Sequence, residues 1–268
     1  MNQFSDVDVP TVLESYAGPL ETGSFRLGGM QVAHAGFSLR GAGRDRNDDR
    51  IYVAEAFGLL GVADGIGSSL AGGQAAQDCV ELMQEYLASV GPITDRVATL
   101  RDAISWTNGR MLAQAWTPGG SERHPGGCCF AGVLLDEVKA EFTTFHVGDC
   151  AVHVQAGRSW EKLTADHMEA EARPAARPGR SRKPRIRRAM GTTPVPSVEF
   201  RTCPLTEGTR LMITSDGCDL LALDGSGVPA PQPEPGESLE RCIRGLAAAV
   251  VAGPLRDDTS AIMLDVSL

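Results

Sequence analysis

Gly58-Leu-Leu-Gly-Val-Ala-Asp-Gly-Ile-Gly67 is the stretch on which the reading of the fold turns. It opens as an apolar, strand-like run, and the run meets acid at Asp64-Gly65. Two helical stretches follow it in succession. Gly73–Ser89 sets Ala76, Cys79, Val80, Met83 and Leu87 on one face, and Ile93–Trp116 repeats the pattern with Val97, Leu100, Ile104 and Met111. Strand-like runs precede it at Gln31–Ser38 and Arg50–Ala54. Others come after the helices, at Cys129–Leu135, Glu141–Val147, Ala151–Ala156, Ser197–Cys203 and Arg210–Thr214. A short helix after Asp216, a helix over Glu237–Val251 and a strand over Ser260–Val266 complete the reading. Strands cluster, two helices run together, and strands resume. That order predicts an α+β chain with antiparallel sheet, not the strict alternation of a Rossmann fold.

The chain has 268 residues, of which 42% are apolar, enough for a full core and against wholesale disorder. No apolar run approaches the roughly 20 residues that span a bilayer, so no membrane segment is expected. Met1–Ser15 is polar and acidic, unlike a secretory leader. Seven cysteines in no CxxC pattern fit free, buried thiols in a reducing cytoplasm. A net charge of −9 argues against a nucleic-acid coat. That charge is uneven. Glu171–Arg188 holds eight basic residues and one acid, a local +7.

Aspartates recur where apolar runs end: Asp64-Gly65, Gly148-Asp149, Asp216-Gly217 and Asp257-Asp258. A carboxylate at a strand end sits on a rigid platform. Several together repel one another unless a hard divalent cation, Mg²⁺ or Mn²⁺, neutralises them. Any single Asp-Gly reads first as a turn, and four acidic strand ends in one chain shift that balance. Arg44-Asp-Arg-Asn-Asp-Asp49 is either a solvated loop or an anion-binding arginine beside two carboxylates.

In order, these pieces resemble the metal-dependent Ser/Thr protein phosphatases of the type 2C (PPM) family, in its bacterial form. Arg44-x-x-Asn-Asp-Asp49 is similar to the family's Arg-x-x-Asn-Glu-Asp, and Asp64-Gly-Ile-Gly67 to its Asp-Gly-x-Gly. His146-Val-Gly-Asp149 resembles its Gly-Asp-Ser segment, Leu163-Thr-Ala-Asp-His167 its Leu-Thr-x-Asp-His, and Arg188-Ala-Met-Gly191 its Arg-Ala-Leu-Gly. Ser215-Asp-Gly217 and Asp257-Asp-Thr-Ser260 complete a set that runs over residues 31–266.

The resemblance implies an α-β-β-α sandwich, two antiparallel sheets flanked by helix pairs. It implies a single catalytic domain over 1–268, with an N-terminal extension at 1–25 and a flap-like loop at 167–188. Two or three Mn²⁺ or Mg²⁺ ions are expected. Asp64 would bridge two of them, with the Gly65 carbonyl on one and Asp216 and Asp257 on the second. Asp48 and Asp49 would act through bound waters, and Asp149 at a third, weaker site. Arg44 would clamp the phosphate while an ion-activated water attacks phosphorus in line. Arg177, Arg180, Arg182 and Lys183 would dock acidic phosphoprotein segments.

The expected function is hydrolysis of phosphoserine and phosphothreonine in proteins, opposite a Ser/Thr kinase, by a cytoplasmic monomer. The alternative is a catalytically weak phosphoprotein-binding regulator of the same fold. Three departures stand out: Asp48 where the family has Glu, Cys128-Cys129 where Thr-Thr is common, and Cys150 in place of Ser. The cysteine changes read as packing. Neither Cys128 nor Cys129 has an arginine five residues on, so a Cys-x5-Arg phosphatase loop is excluded. Gly65-Ile-Gly67-Ser-Ser-Leu70 lacks the third glycine of a dinucleotide-binding turn. His34, His146 and His153 read as packing or hydrogen-bonding residues, and His167 as an organiser of the flap base.

Overall fold

Alternation along two neighbouring strands generates the layers. In β4 (Leu59–Ile66), Leu59 and Ala63 face one way while Leu60 and Val62 face the other. In β5 (Gly127–Asp136), Cys128, Phe130 and Leu134 alternate with Cys129, Ala131, Val133 and Leu135. Every residue of β5 is buried, so both faces of this sheet are covered, as an unbroken apolar run requires.

The computed structural model describes residues 19–66, 71–91, 93–115, 126–168, 186–218, 233–234, 236–253 and 255–268. The remaining strands are β1 (Glu21–Leu27), β2 (Met30–Leu39), β3 (Asp49–Ala54), β6 (Glu141–Val147), β7 (Ala151–Ala156), β8 (Ser159–Lys162), β9 (Glu199–Pro204), β10 (Thr209–Thr214) and β11 (Thr259–Ser267). They form a six-stranded sheet, β1-β2-β11-β10-β7-β8, and a five-stranded sheet, β3-β4-β5-β6-β9. All ladders are antiparallel. Leu60, Val62, Val133, Val152, Leu211, Ile213, Ile262 and Leu264 fill the space between the sheets.

Helices cover the outer faces. On the five-stranded sheet lie α1 (Ala71–Ser89) and α2 (Arg96–Ala115). Cys79, Met83, Leu100 and Ile104 meet Leu59, Phe130 and Phe145 there. The polar face of α1 carries Gln74–Asp78 and Gln77–Glu81 hydrogen bonds at i,i+4 spacing. On the six-stranded sheet, α3 (Leu239–Ala252) seats Cys242, Ile243, Leu246 and Val250 on Phe37, Met212 and Met263. Its N-cap is Ser238, which accepts the Arg241 amide at 3.3 Å. The α+β sandwich expected from the sequence is therefore present. Its second outer face shows one α-helix and a 3-10 turn, Asp216–Cys218, among the described residues.

Three differences from the sequence reading matter. Asp64 and Gly65 lie inside β4, paired with Cys129 and Cys128, rather than just after the strand. β1 begins within the stretch read as an N-terminal extension, and β8 was not anticipated. All seven cysteines are free, and six of them are buried.

One buried side chain makes stability pH-dependent. His153 on β7 is 2% exposed, and its strand neighbours across the ladders are Met212 and Lys162. Burial first, then the Lys162 charge, pushes its titration down to about 4, against a weaker opposing pull from Asp166. The unfolded chain takes up this proton near pH 6.5, whereas the folded chain resists it until about pH 4. Stability from this group is thus full above pH 6.5 and is lost as pH falls toward 4. The expected loss is about 2–3 kcal/mol, absent in His153→Gln. Denaturant unfolding at stepped pH measures it, and equal pH slopes in both proteins would refute it.

Candidate active site

Antiparallel pairing brings the acidic motifs to one edge. Asp49, the first residue of β3, pairs directly with Asp64 near the end of β4. In the facing sheet, β10 ends and β11 begins side by side, with Thr214 opposite Ala261. Asp216 and Asp257 continue from those two ends. The hydroxyl of Ser215 joins the sheets: it donates to Asp49 Oδ2 at 2.8 Å and accepts the Ser260 amide at 2.9 Å. Asp149 follows β6, whose last residue, Val147, pairs with Phe130 on β5.

The gathering sets the electrostatics. Burial raises the Asp64 carboxyl well above its ordinary range, and Asp49, Asp216, Asp149 and Asp257 raise it further. Asp49 is pushed up to about 7, by burial first. Hydrogen bonds from Ser215 and Ser260 pull it down, and Asp258 and Asp216 raise it. Asp49 Oδ1 is buried with no hydrogen-bond partner among the described residues. A buried, unpaired carboxylate oxygen among like charges is the donor set a hard divalent cation takes, so Mn²⁺ or Mg²⁺ fits these residues.

Backbone packing shapes the cluster from behind. A Cβ on Gly65 would lie 2.3 Å from the Gly72 carbonyl oxygen and 2.9 Å from that of Asp48. A Cβ on Gly73 would meet Asp48 Oδ1 at 2.3 Å. The start of α1 therefore presses onto the end of β4 and onto the Asp48 carboxylate, and only glycines allow this approach.

The loop between β2 and β3 carries Arg44, whose Nη2 forms an ion pair with Asp257. Arg44 Nη1 also stands 3.9 Å from Asp48, and Arg46 Nε donates to Asp48 Oδ1 at 2.8 Å. Burial disfavours the Arg44 charge, but Asp257, Asp258 and Asp48 outweigh it and raise its titration.

Arg44, Asp48, Asp49, Asp64, Gly65, Asp149, Asp216 and Asp257 thus share one edge of the sandwich. Arg177, Arg180, Arg182 and Lys183 lie outside the described residues, as does most of the flap-like loop. The two ends of that loop are described. Met168 and Ile186 form a bridge, and the Arg187 amide donates to the His167 carbonyl at 2.8 Å.

The sequence reading missed several supports. Asn47 links the Asp49 amide to Ser38, and Ser38 bonds Ser260 at 2.7 Å. Asn108 on α2, fully buried, holds the Gly191 amide at 2.8 Å. Asn47 stood inside a quoted motif, whereas Asn108 carried no signal beyond its place on a helix.

At the flap base, His146, His167 and Glu199 place their possible ligand atoms within 4.8 Å of one another. Their hydrogen bonds arrange them as a latch rather than a cation seat. His146 Nε2 bonds the Ala165 carbonyl at 2.8 Å, and the two imidazoles stack at 4.5 Å. His167 Nδ1 accepts the Gly148 amide at 3.2 Å, so its Nε2–H faces Glu199. Arg188 already neutralises Glu199 at 2.8 Å. The latch closes on Gly148, directly before Asp149, and on the His146 side it borders a cleft of about 340 Å³. His167 thus ties Gly148, Arg187 and Glu199 together where the described chain breaks off after Met168 and resumes at Ile186.

Known structures share this architecture. PppA of Pseudomonas aeruginosa, described as a key regulatory component of T6SS, is 19% identical over 90% of this chain and 99% of its own, with a TM-score of 0.70. The catalytic domain of the serine threonine protein phosphatase PstP, solved with two manganese ions, is 21% identical over 89% and 100%, with a TM-score of 0.67. MsPP from Mycobacterium smegmatis, a PPM Ser-Thr phosphatase solved with cacodylate, is 22% identical over 87% and 97%, with a TM-score of 0.63. At such identities the likeness is one of fold. No curated protein matches the sequence. The sequence model of the family described as Protein phosphatase 2C matches residues 40–231, a span that takes in Arg44, Asp64, Asp149 and Asp216, and the chain belongs to that family.

Proposed function

We propose that this chain is a metal-dependent protein phosphatase that hydrolyses phosphoserine and phosphothreonine. The observation that carries the reading is the Asp49–Asp64 pair, gathered with Asp216, Asp149 and Asp257 at one edge, with one buried Asp49 oxygen lacking any partner among the described residues. Asp64, the Gly65 carbonyl, Asp216 and Asp257 would hold two Mn²⁺ or Mg²⁺ ions, Asp48 and Asp49 would act through water, and Asp149 would serve a third ion. When bound, the ions supply Lewis-acid polarisation of phosphoryl oxygens and a water acidic enough to react at neutral pH.

The chain's own groups bind and orient the substrate. Arg44, held beside Asp257, turns its planar fork to the phosphoryl oxygens and offsets their charge. Ser215 fixes Asp49 Oδ2 by its hydroxyl hydrogen, and Oδ1 is left without a partner among the described residues. The substrates are phosphorylated segments of proteins modified by a Ser/Thr kinase, docked in part by Arg177, Arg180, Arg182 and Lys183. No helix among the described residues is long and apolar enough to cross a membrane.

The test is hydrolysis of p-nitrophenyl phosphate and of an acidic phosphothreonine peptide, with Mn²⁺ or with EDTA. Turnover with Mn²⁺, abolished by EDTA, is expected for both substrates. Activity indifferent to EDTA would overturn the proposal. Peptide binding with no turnover would favour the regulator instead. Neutralising the four docking residues should raise KM for the peptide alone, and an equal change on both substrates would sink the docking role.

A further inference from the structure

The roles above leave Asp258 unused, although it is among the most buried carboxylates of the chain, at 3% exposure. Its two oxygens are both engaged by backbone amides. The Gly41 amide donates to Oδ1 at 2.8 Å, and the Asp48 amide donates to Oδ2 at 2.8 Å. Those amides flank the loop that carries Arg44, and they lie 217 and 210 residues away in the chain.

The surroundings leave this loop little play. The Ala42 amide bonds the Leu255 carbonyl at 2.9 Å, and a Cβ on Gly41 would meet the Asp257 carbonyl carbon at 2.8 Å. On the other side, a Cβ on Gly217 would strike the Asp258 carbonyl oxygen at 2.1 Å. The Asp258 amide donates to Asp257 Oδ1 at 3.0 Å. One residue thus touches the arginine loop, the turn that bears Asp216, and the side chain of Asp257.

We infer that Asp258 is a positioning residue that sets Arg44 and Asp48 of the β2–β3 loop and Asp49 of β3 against Asp216 and Asp257 at the ends of β10 and β11. The inference rests on the phosphatase reading and deepens it. The acid, not its amide, is required. A carboxylate accepts two N–H groups at once, in charge-assisted bonds. Asparagine offers one oxygen, and its NH₂ would face the second amide hydrogen head-on. Asp258 touches no reacting atom. Its effect passes through where Arg44 and the Asp48 carboxylate stand.

The experiment compares Asp258→Asn and Asp258→Ala with the wild-type full chain by three readouts. Hydrogen exchange follows the amides of residues 41 and 48, calorimetry follows Mn²⁺ binding, and steady-state kinetics on p-nitrophenyl phosphate separates KM from kcat. Both amides should exchange with the β2–β11 core in wild type and faster in Asp258→Asn. Mn²⁺ affinity should fall by about tenfold, as for other residues that orient ligands. KM should rise at every Mn²⁺ concentration, because the phosphate clamp is loosened, and Asp258→Ala should exceed Asp258→Asn in each effect.

A purely structural role predicts something else: activity that falls only with the folded fraction, at unchanged Mn²⁺ affinity and KM. That result would overturn the inference. So would exchange of either amide at the rate of an open loop in wild type, a measurement that stands even if neither variant folds. A wild-type chain that binds Mn²⁺ without hydrolysing phosphate would overturn the phosphatase reading instead, and calorimetry and exchange would still judge Asp258.

Discussion

Asp64→Asn is expected to lower kcat/KM on p-nitrophenyl phosphate by about 10³-fold while making the metal-free protein more stable. The two effects have one origin. Asp64 is half-buried and sits among Asp49, Asp216, Asp149 and Asp257, so its ionised form is held against desolvation and like charge. A neutral isostere removes that repulsion, and about 1 kcal/mol of stability should appear at pH 8 in EDTA. Adding Mn²⁺ should then raise the melting temperature of wild type and leave Asp64→Asn nearly unchanged, because stabilisation by a ligand follows its affinity for the folded state. Activity retained in Asp64→Asn, or an unchanged response to Mn²⁺, would exclude Asp64 as the residue shared by two ions.

Gly65→Ala should be nearly as damaging, for a steric reason. The new methyl group would stand 2.3 Å from the Gly72 carbonyl oxygen, which is backbone and cannot swing aside. Either β4 shifts within its ladder to β3 and β5, or the start of α1 lifts away. Overpacking of this kind costs about 2–3 kcal/mol, which in a domain of this size is a melting temperature lower by about 5–10 °C. Lifting α1 also withdraws Gly73 from the Asp48 carboxylate, so the folded fraction should lose Mn²⁺ affinity as well. Thermal unfolding and calorimetry measure both. A melting temperature within a degree of wild type would show that the contact relaxes.

The layered fold was readable because it depends on local patterns. The apolar run at Gly58–Ala63 and the 3.6-residue spacing of Ala76, Cys79, Val80 and Met83 survive in any sequence that buries one sheet between two layers. β1 was not readable. Glu21-Thr-Gly-Ser-Phe-Arg-Leu27 is an edge strand with only Phe25 and Leu27 buried, and five polar or glycine positions hide its period. β8 is four residues long, too short to show one.

The aspartates stood out as chemistry, and the resemblance supplied the roles proposed for them. What joins them was out of reach, because it lives in register. Nothing local says that the hydroxyl of Ser215 meets Asp49, 166 residues away, or that Asp258 receives two amides. Asp64 shows the same limit. As a residue it reads as the stop after a strand. Only the neighbours Asp49 and Cys129 reveal that it is a rung of the ladder.

The place of β11 bears on when this protein can first work. The strand lies between β2 and β10, and Leu39 waits for Thr259 as its partner. At about 5–20 residues per second, translation separates the two by on the order of ten to forty seconds. For that interval β2 has an open edge, and Arg44, Asp48 and Asp49 have neither Asp257 nor Asp258 beside them. A chain still in the ribosome exit tunnel over residues 257–267 therefore holds half a site. The strand that closes the six-stranded sheet is thus also the one that carries Asp257 and Asp258 to the β2–β3 loop.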